Sequence, residues 1–250
     1  MGLVTLFLIL FFIGDLNAME RTFPFRPGEK MFFKVKWEFI PAGEAVLEVL
    51  PFANINGEKS FHFVFTAWTN RYVDLIYKVR DRVESYANLD MTRSVLYKKD
   101  QKGKTKKEEV VTFDWKNLVA QYSNADNQLE PIFIMPGTFD PLSIFFAFRL
   151  YDLDKETKVA THVTDGKRSI LGVAERIRRE RIKVAAGEYD TYLVEPEMEN
   201  IDGVFKKSRK AKLQIWVTAD EKSIPVQIKS KVALGSFVAE LVTYKEAPPE

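Results

Sequence analysis

Apolar and polar residues alternate along most of the chain with a period of two, which is typical of β-strands that bury one face. The odd positions from Met31 to Phe39 are apolar, whereas positions 34, 36 and 38 are charged. Asn56-Gly57 predicts a tight hairpin because both residues tolerate positive φ, and positions 61, 63 and 65 are all Phe. Roughly ten or more such strands would curl or close, because a long flat sheet leaves exposed edges. The pattern therefore predicts a mainly β fold, a strongly curved antiparallel sheet that forms a barrel or half-barrel.

The segment 140–150 departs from this alternation and predicts a short helix. Asp140 is a suitable N-cap residue, and Pro141 fits the first helical position, where its missing N–H costs nothing. The apolar stripe of this helix comprises Leu142, Phe145, Phe146 and Leu150. A helix that is apolar nearly all round must be covered on more than one side. We therefore expect it to pack at the concave side of the sheet, and we expect a second short helix near residues 70–75.

Residues 1–18 have the pattern of a signal peptide. An apolar run from Leu3 to Ile13 is followed by the small residue Ala18, which suits a signal peptidase cleavage site. The run is too short to cross a bilayer, which takes about twenty residues. No Lys or Arg precedes it, so a buried N-terminal strand is the alternative. We expect export to the periplasm of a Gram-negative bacterium and, after signal removal, a soluble protein or one peripheral to the outer membrane.

The remaining residues, 19–250, are expected to form a single β-rich domain with its core between residues 28 and 245, because no linker or charge block divides them. The chain has 37 basic and 35 acidic side chains, a balance too even to make nucleic acid the default partner. It has no cysteine, which excludes disulfides, thiolate chemistry and a cysteine-linked lipid anchor.

Sequence motifs that carry catalysis are absent. The two histidines, His62 and His162, have no Asp or Glu at a spacing typical of metal sites. The sequence also lacks a nucleophile elbow, a zinc-binding helix motif and a phosphate-binding glycine loop. We therefore predict no catalytic residue, no metal and no cofactor. The remaining enzymatic alternative is glycan cleavage by two carboxylates that face each other across a cleft.

Asp81 is unusual because alternation places it on the apolar face of its strand, together with Val79 and Val83. A buried carboxylate is costly unless it is paired. Asp81 is therefore expected to be either half of a structural ion pair, with Arg71 or Arg149, or a polar anchor inside a ligand pocket.

Three clusters of basic residues lie on predicted hairpins or strand faces, at 98–107, 176–183 and 206–212. The middle cluster comprises Arg176, Arg178, Arg179, Arg181 and Lys183. Such residues commonly form a solvated face that prevents edge pairing between sheets. The alternative is contact with anionic head groups or an envelope glycan, worth about 1 kcal/mol per cation near a charged surface.

Several short segments of the chain occur in an order that resembles the DUF3108 family of exported bacterial proteins. They are Gly28–Lys30, Trp37–Glu44, Tyr77–Ser85, Asp140–Ser143, Ala186–Tyr189, Ile215–Val217 and Ile224–Val226. The resemblance covers nearly all of residues 28–245 and implies an envelope-associated, β-rich domain of uncharacterised function. It supplies no catalytic residues.

These observations support two hypotheses about function. In the first, a non-enzymatic envelope protein binds an apolar or amphipathic component, such as a lipid or envelope glycan, in a concave aromatic-lined face. That face would include Trp37, Phe39, Phe63, Phe65, Asp81, Leu142, Phe145 and Phe146. In the second, the protein has no ligand and is a structural or assembly partner of an outer-membrane or polysaccharide-export system, and the aromatic residues are simply its core.

Overall fold

The computed structural model describes residues 22–103, 106–197, 212–232 and 235–248. The predicted signal peptide lies outside these residues, as does the third basic cluster except for Lys212. One antiparallel sheet contains every strand in this part of the chain. The prediction of a mainly β fold is therefore confirmed.

Within the described ranges the sheet has fourteen strands, and successive strands pair as hairpins along each half of the chain. The strands are β1 (Lys30–Trp37), β2 (Ile40–Ile55), β3 (Glu58–Thr69), β4 (Arg80–Asn88), β5 (Ser94–Lys102), β6 (Lys106–Asp114), β7 (Val119–Asn124), β8 (Ile132–Phe133), β9 (Lys158–Thr164), β10 (Ser169–Val184), β11 (Gly187–Pro196), β12 (Lys212–Thr218), β13 (Pro225–Val232) and β14 (Gly235–Lys245). Their order across the sheet is β8-β7-β6-β5-β4-β3-β2-β1-β14-β13-β12-β11-β10-β9. The first and last strands thus meet in the middle and join the two halves.

The hairpin predicted at Asn56-Gly57 is confirmed by the backbone of the β2–β3 turn. Both residues have positive φ, 53° and 90° respectively. The turn pairs Ile55 with Glu58, and the N–H of Gly57 donates to Oδ1 of Asn54 at 2.7 Å. A two-residue turn of this kind matches the twist of the flanking strands and so sets their register.

The sheet is neither closed nor strongly curled, so the prediction of a strongly curved sheet that forms a barrel or half-barrel is wrong. The outermost strands, β8 and β9, do not pair with each other. The outer edge of β9 is instead covered at one point by Phe139, whose N–H donates to the carbonyl of His162 at 2.9 Å and whose carbonyl accepts from Thr164 at 2.8 Å. Because this single bridge comes from the connection between β8 and the helix, it cannot extend into the ladder that closure requires.

One α-helix, α1 (Ser143–Phe148), occurs in the described residues, at the predicted place but shorter than the segment 140–150. Phe146 is fully buried and stacks on Phe63 of β3, with 3.9 Å between ring centroids. Phe25 packs edge-on against both of these rings. Aromatic rings therefore fill the core where α1 meets β3, through one stacked contact and two edge-to-face contacts.

The second predicted helix is a single 3-10 turn, Val73–Leu75, in the connection between β3 and β4. Neither this turn nor α1, the helical elements of the described chain, is long and apolar enough to cross a membrane.

Candidate ligand-binding cavity

A mainly apolar cavity of about 620 Å³ lies between α1 and the β9–β12 part of the sheet. One wall comes from α1 and consists of Ile144, Phe145 and Phe148. The other wall consists largely of alternate residues on one face of β9 to β12, among them Val159, Thr161, Val163, Ile170, Gly172, Ala174, Val194, Leu213, Ile215 and Val217. The period of two that predicts strands thus also directs one face of these four strands toward the cavity.

The wall of the cavity on this part of the sheet has aliphatic and small side chains where β3 has aromatic rings. β3 presents Phe61, Phe63 and Phe65 on one face, and Phe63 fills the space beneath α1 completely. β9 and β10 present Thr161 and Gly172 as directly opposed neighbours. These residues cannot reach the helix, so space remains. The sequence signal for this site is the short side chains of β9 and β10. Sequence reasoning instead predicted a site lined by aromatic rings.

A group of charged side chains from β5, β6 and the β9–β10 turn lines one end of the cavity. This cationic mouth comprises Lys99, Lys107, Lys167 and Arg168, together with the carboxylates of Glu109 and Asp165. Four cations against two carboxylates give it a net charge of +2. Glu197 also lines the cavity but is bound by Lys158 at 3.1 Å. The apolar cavity therefore has one end that favours an anion.

Glu109 organises the mouth by binding two of these lysines. Its Oε1 lies 2.6 Å from Nζ of Lys107 and 2.9 Å from Nζ of Lys167, and it accepts a hydrogen bond from the hydroxyl of Tyr122 at 2.8 Å. Burial alone would raise the pKa of Glu109, but the hydrogen bonds from Lys107, Lys167 and Tyr122 outweigh it and lower the pKa to about 2. The carboxylate is therefore ionised at neutral pH and holds both ammonium groups at the opening.

The β9–β10 turn packs directly against β6 beside this mouth. A Cβ on Gly166 would lie 2.8 Å from Cγ2 of Val111 and 3.0 Å from Cβ of Tyr122, so only glycine fits there. Its φ of 80° also favours glycine. Nζ of Lys167 lies 4.5 Å from the ring centroid of Tyr122. These contacts bring together two parts of the sheet that are far apart in strand order.

Arg149 lines the cavity near α1, but its guanidinium is already occupied. Arg149 and Glu29 form a buried ion pair with side chains 1% and 3% exposed and with 2.5 Å between Nη1 and Oε1. The guanidinium also donates to the carbonyls of Pro24 at 3.0 Å and Lys222 at 2.9 Å. Because its donors are paired within the protein, Arg149 serves as a structural anchor of the N-terminal segment.

Asp140 anchors the start of α1 to β4 and β5. Its fully buried carboxylate accepts hydrogen bonds from Oγ of Ser85 at 2.6 Å and Oγ of Ser94 at 2.5 Å. It also accepts from the N–H groups of Leu142 at 2.8 Å and Ser143 at 2.9 Å, so its predicted capping role is confirmed. Burial raises the pKa of Asp140, against the effect of these donors. The group orients α1, which forms one wall of the cavity.

The structure places the other predicted site residues in different surroundings. Phe145 alone among them lines the cavity described here. Phe63, Phe146 and Leu142 are buried in the filled core, and Phe65 packs half-buried against it. The remaining two aromatic residues lie at the β1–β2 turn. Phe39 is 93% exposed, and the half-exposed Trp37 stacks on Phe237 with 6.5 Å between ring centroids.

Asp81 does not pair with either predicted arginine. Its Oδ2 accepts a hydrogen bond from Nε2 of Gln101 at 3.0 Å. Arg149 pairs with Glu29 instead, and Arg71 donates to the hydroxyl of Tyr72. The prediction of an Asp81–arginine pair is wrong because the strand partner across from Asp81 on β5 is an uncharged Gln. That same Gln101 lines the cavity, so Asp81 lies just behind its wall.

The predicted basic cluster on β10 lies on a mostly exposed strand face, where ion pairs occupy several of its side chains. Arg179 binds Asp190 with three hydrogen bonds of 2.6, 3.0 and 3.2 Å. Arg178 binds Glu180 at 2.8 Å, and Arg176 lies over the ring of Tyr192. The other two members, Arg181 and Lys183, are exposed. These cations do not line the cavity, and their contact with an envelope component stays a prediction.

Comparison with known proteins identifies a family and a related fold. Residues 33–242 match the model of a family described as "Protein of unknown function (DUF3108)", and no curated protein matches the chain significantly. A β-barrel-like protein of the DUF1849 domain of unknown function from Brucella abortus is similar, with a TM-score of 0.55 at 8% identity, over 88% of this chain and 98% of that one.

Two further solved structures have a lower similarity. A candidate exported protein with a YmcC-like fold (BF2203) from Bacteroides fragilis matches with a TM-score of 0.40 at 9% identity, over 90% of this chain and 98% of that one. A candidate lipoprotein from Parabacteroides distasonis matches with a TM-score of 0.35 at 11% identity, over 89% of this chain and 97% of that one. At these identities the likeness concerns the fold alone.

Proposed function

The chain belongs to the DUF3108 family, whose function is unknown, and we propose that it is an exported, non-enzymatic protein of the periplasm that binds an amphipathic envelope molecule. The observation that carries this proposal is the combination of apolar walls and a cationic mouth in one cavity of about 620 Å³. Small-molecule sites commonly measure about 300–1,000 Å³ and combine apolar walls with a few polar groups. We infer a ligand with an acyl chain and a phosphate or carboxylate head group.

The energetics of an acyl chain agree with this division of the cavity. Each buried methylene contributes about 0.8 kcal/mol, so a twelve-carbon chain gains roughly 10 kcal/mol. Lost translational and rotational freedom costs about 4–15 kcal/mol, which is of the same size as that gain. Charge-assisted contacts from Lys99, Lys107 and Lys167 to the head group would then decide affinity and orientation.

We further propose that the two halves of the open sheet hold the ligand where the β9–β10 turn contacts β6. The contacts of Gly166 with Val111 and of Lys167 with Glu109 join the two halves beside the mouth. α1, whose first turn is held by the carboxylate of Asp140, forms one wall of the cavity. In this arrangement the ligand replaces side chains that the small residues of β9 and β10 do not supply.

A binding role without chemistry fits the titratable groups of the cavity. The lowered pKa of Glu109 makes it a poor proton donor at neutral pH. Burial, with smaller effects from the carboxylates of Asp140 and Glu109, raises the pKa of Tyr97, so its hydroxyl stays protonated. His62 binds Glu84 at 2.9 Å and stacks on Tyr86, away from the cavity lining.

Native mass spectrometry of protein purified from its own periplasm tests the proposal, followed by lipid extraction. We expect a bound acyl species and uptake of an environment-sensitive fluorescent fatty acid. Thr161→Phe, which fills the cavity opposite Gly172, should abolish both. Arg181→Glu, at an exposed position of β10 that does not line the cavity, is the matched control and should bind normally.

Ligand binding would be refuted if the mass spectrum showed only the ligand-free protein and the protein also took up no fluorescent fatty acid. If the empty protein then co-purified with a stoichiometric envelope protein, the result would favour the alternative, an assembly partner of an outer-membrane or polysaccharide-export system.

A further inference from the structure

The most exposed apolar side chains of the described structure are concentrated in two neighbouring connections. We call these residues of the β1–β2 turn and the β3–β4 connection the apolar tip. It comprises Phe39, Ile40, Tyr72, Leu75, Ile76 and Tyr77. Phe39 is 93% exposed and Leu75 is 86% exposed. Isolated exposed apolar residues are normal, but a contiguous group of this size marks an interaction surface.

Backbone and side-chain hydrogen bonds hold the two connections against each other. The N–H of Asn70 donates to the carbonyl of Ala42 at 2.9 Å, and Nδ2 of Asn70 donates to the carbonyl of Pro41 at 2.5 Å. The β3–β4 connection is further fixed by the ion pair between Asp74 and Arg80, 2.6 Å between Oδ2 and Nη2. The apolar tip is therefore one surface on an ordered backbone.

A third hairpin extends this surface. The N–H of Glu38 donates to the carbonyl of Ser236 at 2.8 Å, and the N–H of Ser236 donates back to Oε1 of Glu38 at 2.5 Å. Phe237 and Trp37 stack beside this link and are both about half-exposed. Aromatic side chains with one polar edge are favoured at the boundary between water and lipid.

The charges around the apolar tip are mostly positive. The segments 36–41, 70–80 and 229–237 contain six basic side chains and two acidic ones, a net charge of +4. The basic residues are Lys36, Arg71, Lys78, Arg80, Lys229 and Lys231. Two of them form ion pairs within the protein, Lys36 with Glu240 and Arg80 with Asp74. This positive charge repels a second copy that approaches through the same surface. It attracts an anionic lipid surface by about 1 kcal/mol per cation.

The apolar tip lies at the same end of the strands as the cationic mouth. β1, β3 and β5 all run toward this end, and Gly103 after β5 packs so closely on the carbonyl of Lys78 that a Cβ would collide with it. Gln101, near the end of β5, lines the cavity. A flat surface that received the tip would therefore also face the mouth.

We propose that the apolar tip inserts into the interfacial region of an anionic lipid bilayer, with the surrounding lysines and arginines on the head groups. This membrane-docking role goes beyond ligand binding and does not depend on it. If the cavity binds an acyl chain, docking places the cationic mouth at the lipid surface. The ligand would be taken from that surface or delivered to it.

Flotation of the purified mature chain with lipid vesicles tests the proposal. We expect binding to vesicles of phosphatidylcholine with phosphatidylglycerol, and weak binding to phosphatidylcholine alone. The triple variant Phe39→Ser/Leu75→Ser/Ile76→Ser should bind the anionic vesicles at least about tenfold more weakly than the wild type, because it removes the inserted apolar area. Phe133→Ser is the matched control, since Phe133 is 85% exposed on β8 outside the tip, and should change binding by no more than about twofold.

The same flotation assay separates the electrostatic contribution to vesicle binding from the apolar contribution. Arg71→Glu/Lys78→Glu should lower binding to anionic vesicles and reduce its dependence on salt, because screening at about 1 M salt weakens only the electrostatic part. The circular dichroism and melting temperature of all variants should match those of the wild type, since the exchanged side chains are exposed.

Failure of the wild type to float with anionic vesicles, or equal flotation of the triple variant, would overturn the proposal. A wild-type dimer in sedimentation velocity that the triple variant converts to monomer would also overturn it, in favour of an interface between copies. Fatty-acid uptake distinguishes this surface from the cavity: the triple variant should keep uptake, and Thr161→Phe should keep vesicle binding.

Discussion

Breaking the buried pair between Arg149 and Glu29 should destabilise the whole fold. Arg149 follows α1, Glu29 precedes β1, and the guanidinium also binds the carbonyls of Pro24 and Lys222. Three separate parts of the chain thus meet at one buried cation. The hydroxyl of Tyr244 donates to the second carboxylate oxygen at 3.2 Å and adds β14 to the same site.

The size of the effect follows from what each substitution leaves unpaired. Arg149→Met keeps most of the volume but leaves the Glu29 carboxylate without its cation. Removing one partner of a buried pair costs about 3–5 kcal/mol, which lowers Tm by about 6–20 °C in a chain of this size. Glu29→Gln leaves a buried guanidinium and should have a similar cost. The double variant Glu29→Gln/Arg149→Met should lose less than the sum, because no unpaired charge remains.

Chemical denaturation followed by tryptophan fluorescence measures these free energies of unfolding. Arg181→Met on the exposed face of β10 is the control and should stay within about 0.5 kcal/mol of the wild type. Arg149→Met with wild-type stability would refute the role of the pair. Strictly additive losses in the double-mutant cycle would show that the two side chains act independently.

The remaining predictions concern the mouth, the β9–β10 turn and the helix. Because the pKa of Glu109 is lowered from 4.5 to about 2 in the folded state, its contribution to stability is complete above about pH 4.5 and is lost as pH falls toward 2; Glu109→Gln should flatten the pH dependence of Tm in that window. Gly166→Ala should destabilise by about 1–3 kcal/mol through its contact with Val111 and its positive φ, measured by denaturant midpoint. Phe146→Ala should cost about 3–5 kcal/mol in thermal unfolding, whereas Phe145→Ala at the cavity wall should cost clearly less because its environment is already open; equal losses would contradict the cavity.

The parts of the fold that sequence reasoning predicted are those that depend on local patterns. Alternation, the Asn56-Gly57 turn and the cap that Asp140 provides for α1 each depend on residues close in sequence, and the structure contains all three. The helix itself begins at Ser143 and not at Pro141. The prediction of closure was wrong because closure depends on what pairs with the outer edge of β9, the edge away from β10. Among the described residues only Phe139 does so, through a single bridge. No period in the sequence encodes that partner.

The candidate site was only partly predictable for the same reason. Alternation places Phe39 in line with Phe33, but β1 ends at Trp37, so the ring at position 39 lies on a turn outside the core. A pattern shows which residues share a face, and it does not show where along the strand the opposing layer ends. The partner of Asp81 was not predictable from the alternation of its own strand, because that partner, Gln101, lies on β5.

The composition of the cavity wall separates a binding site from an imperfectly packed core. This chain has 20 phenylalanines, and rings fill the space under α1 where β3 crosses it, yet the facing residues of β9 and β10 include Thr161 and Gly172. A ring at position 161 would bury more apolar area at a site where glycine opposite leaves room, so Thr161→Phe should raise stability or leave it unchanged. If the space is a ligand site, the same substitution must remove acyl binding. Opposite signs for stability and binding at one residue are the signature of a cavity kept open for a ligand, and a loss of both would mean only that the wall tolerates no ring.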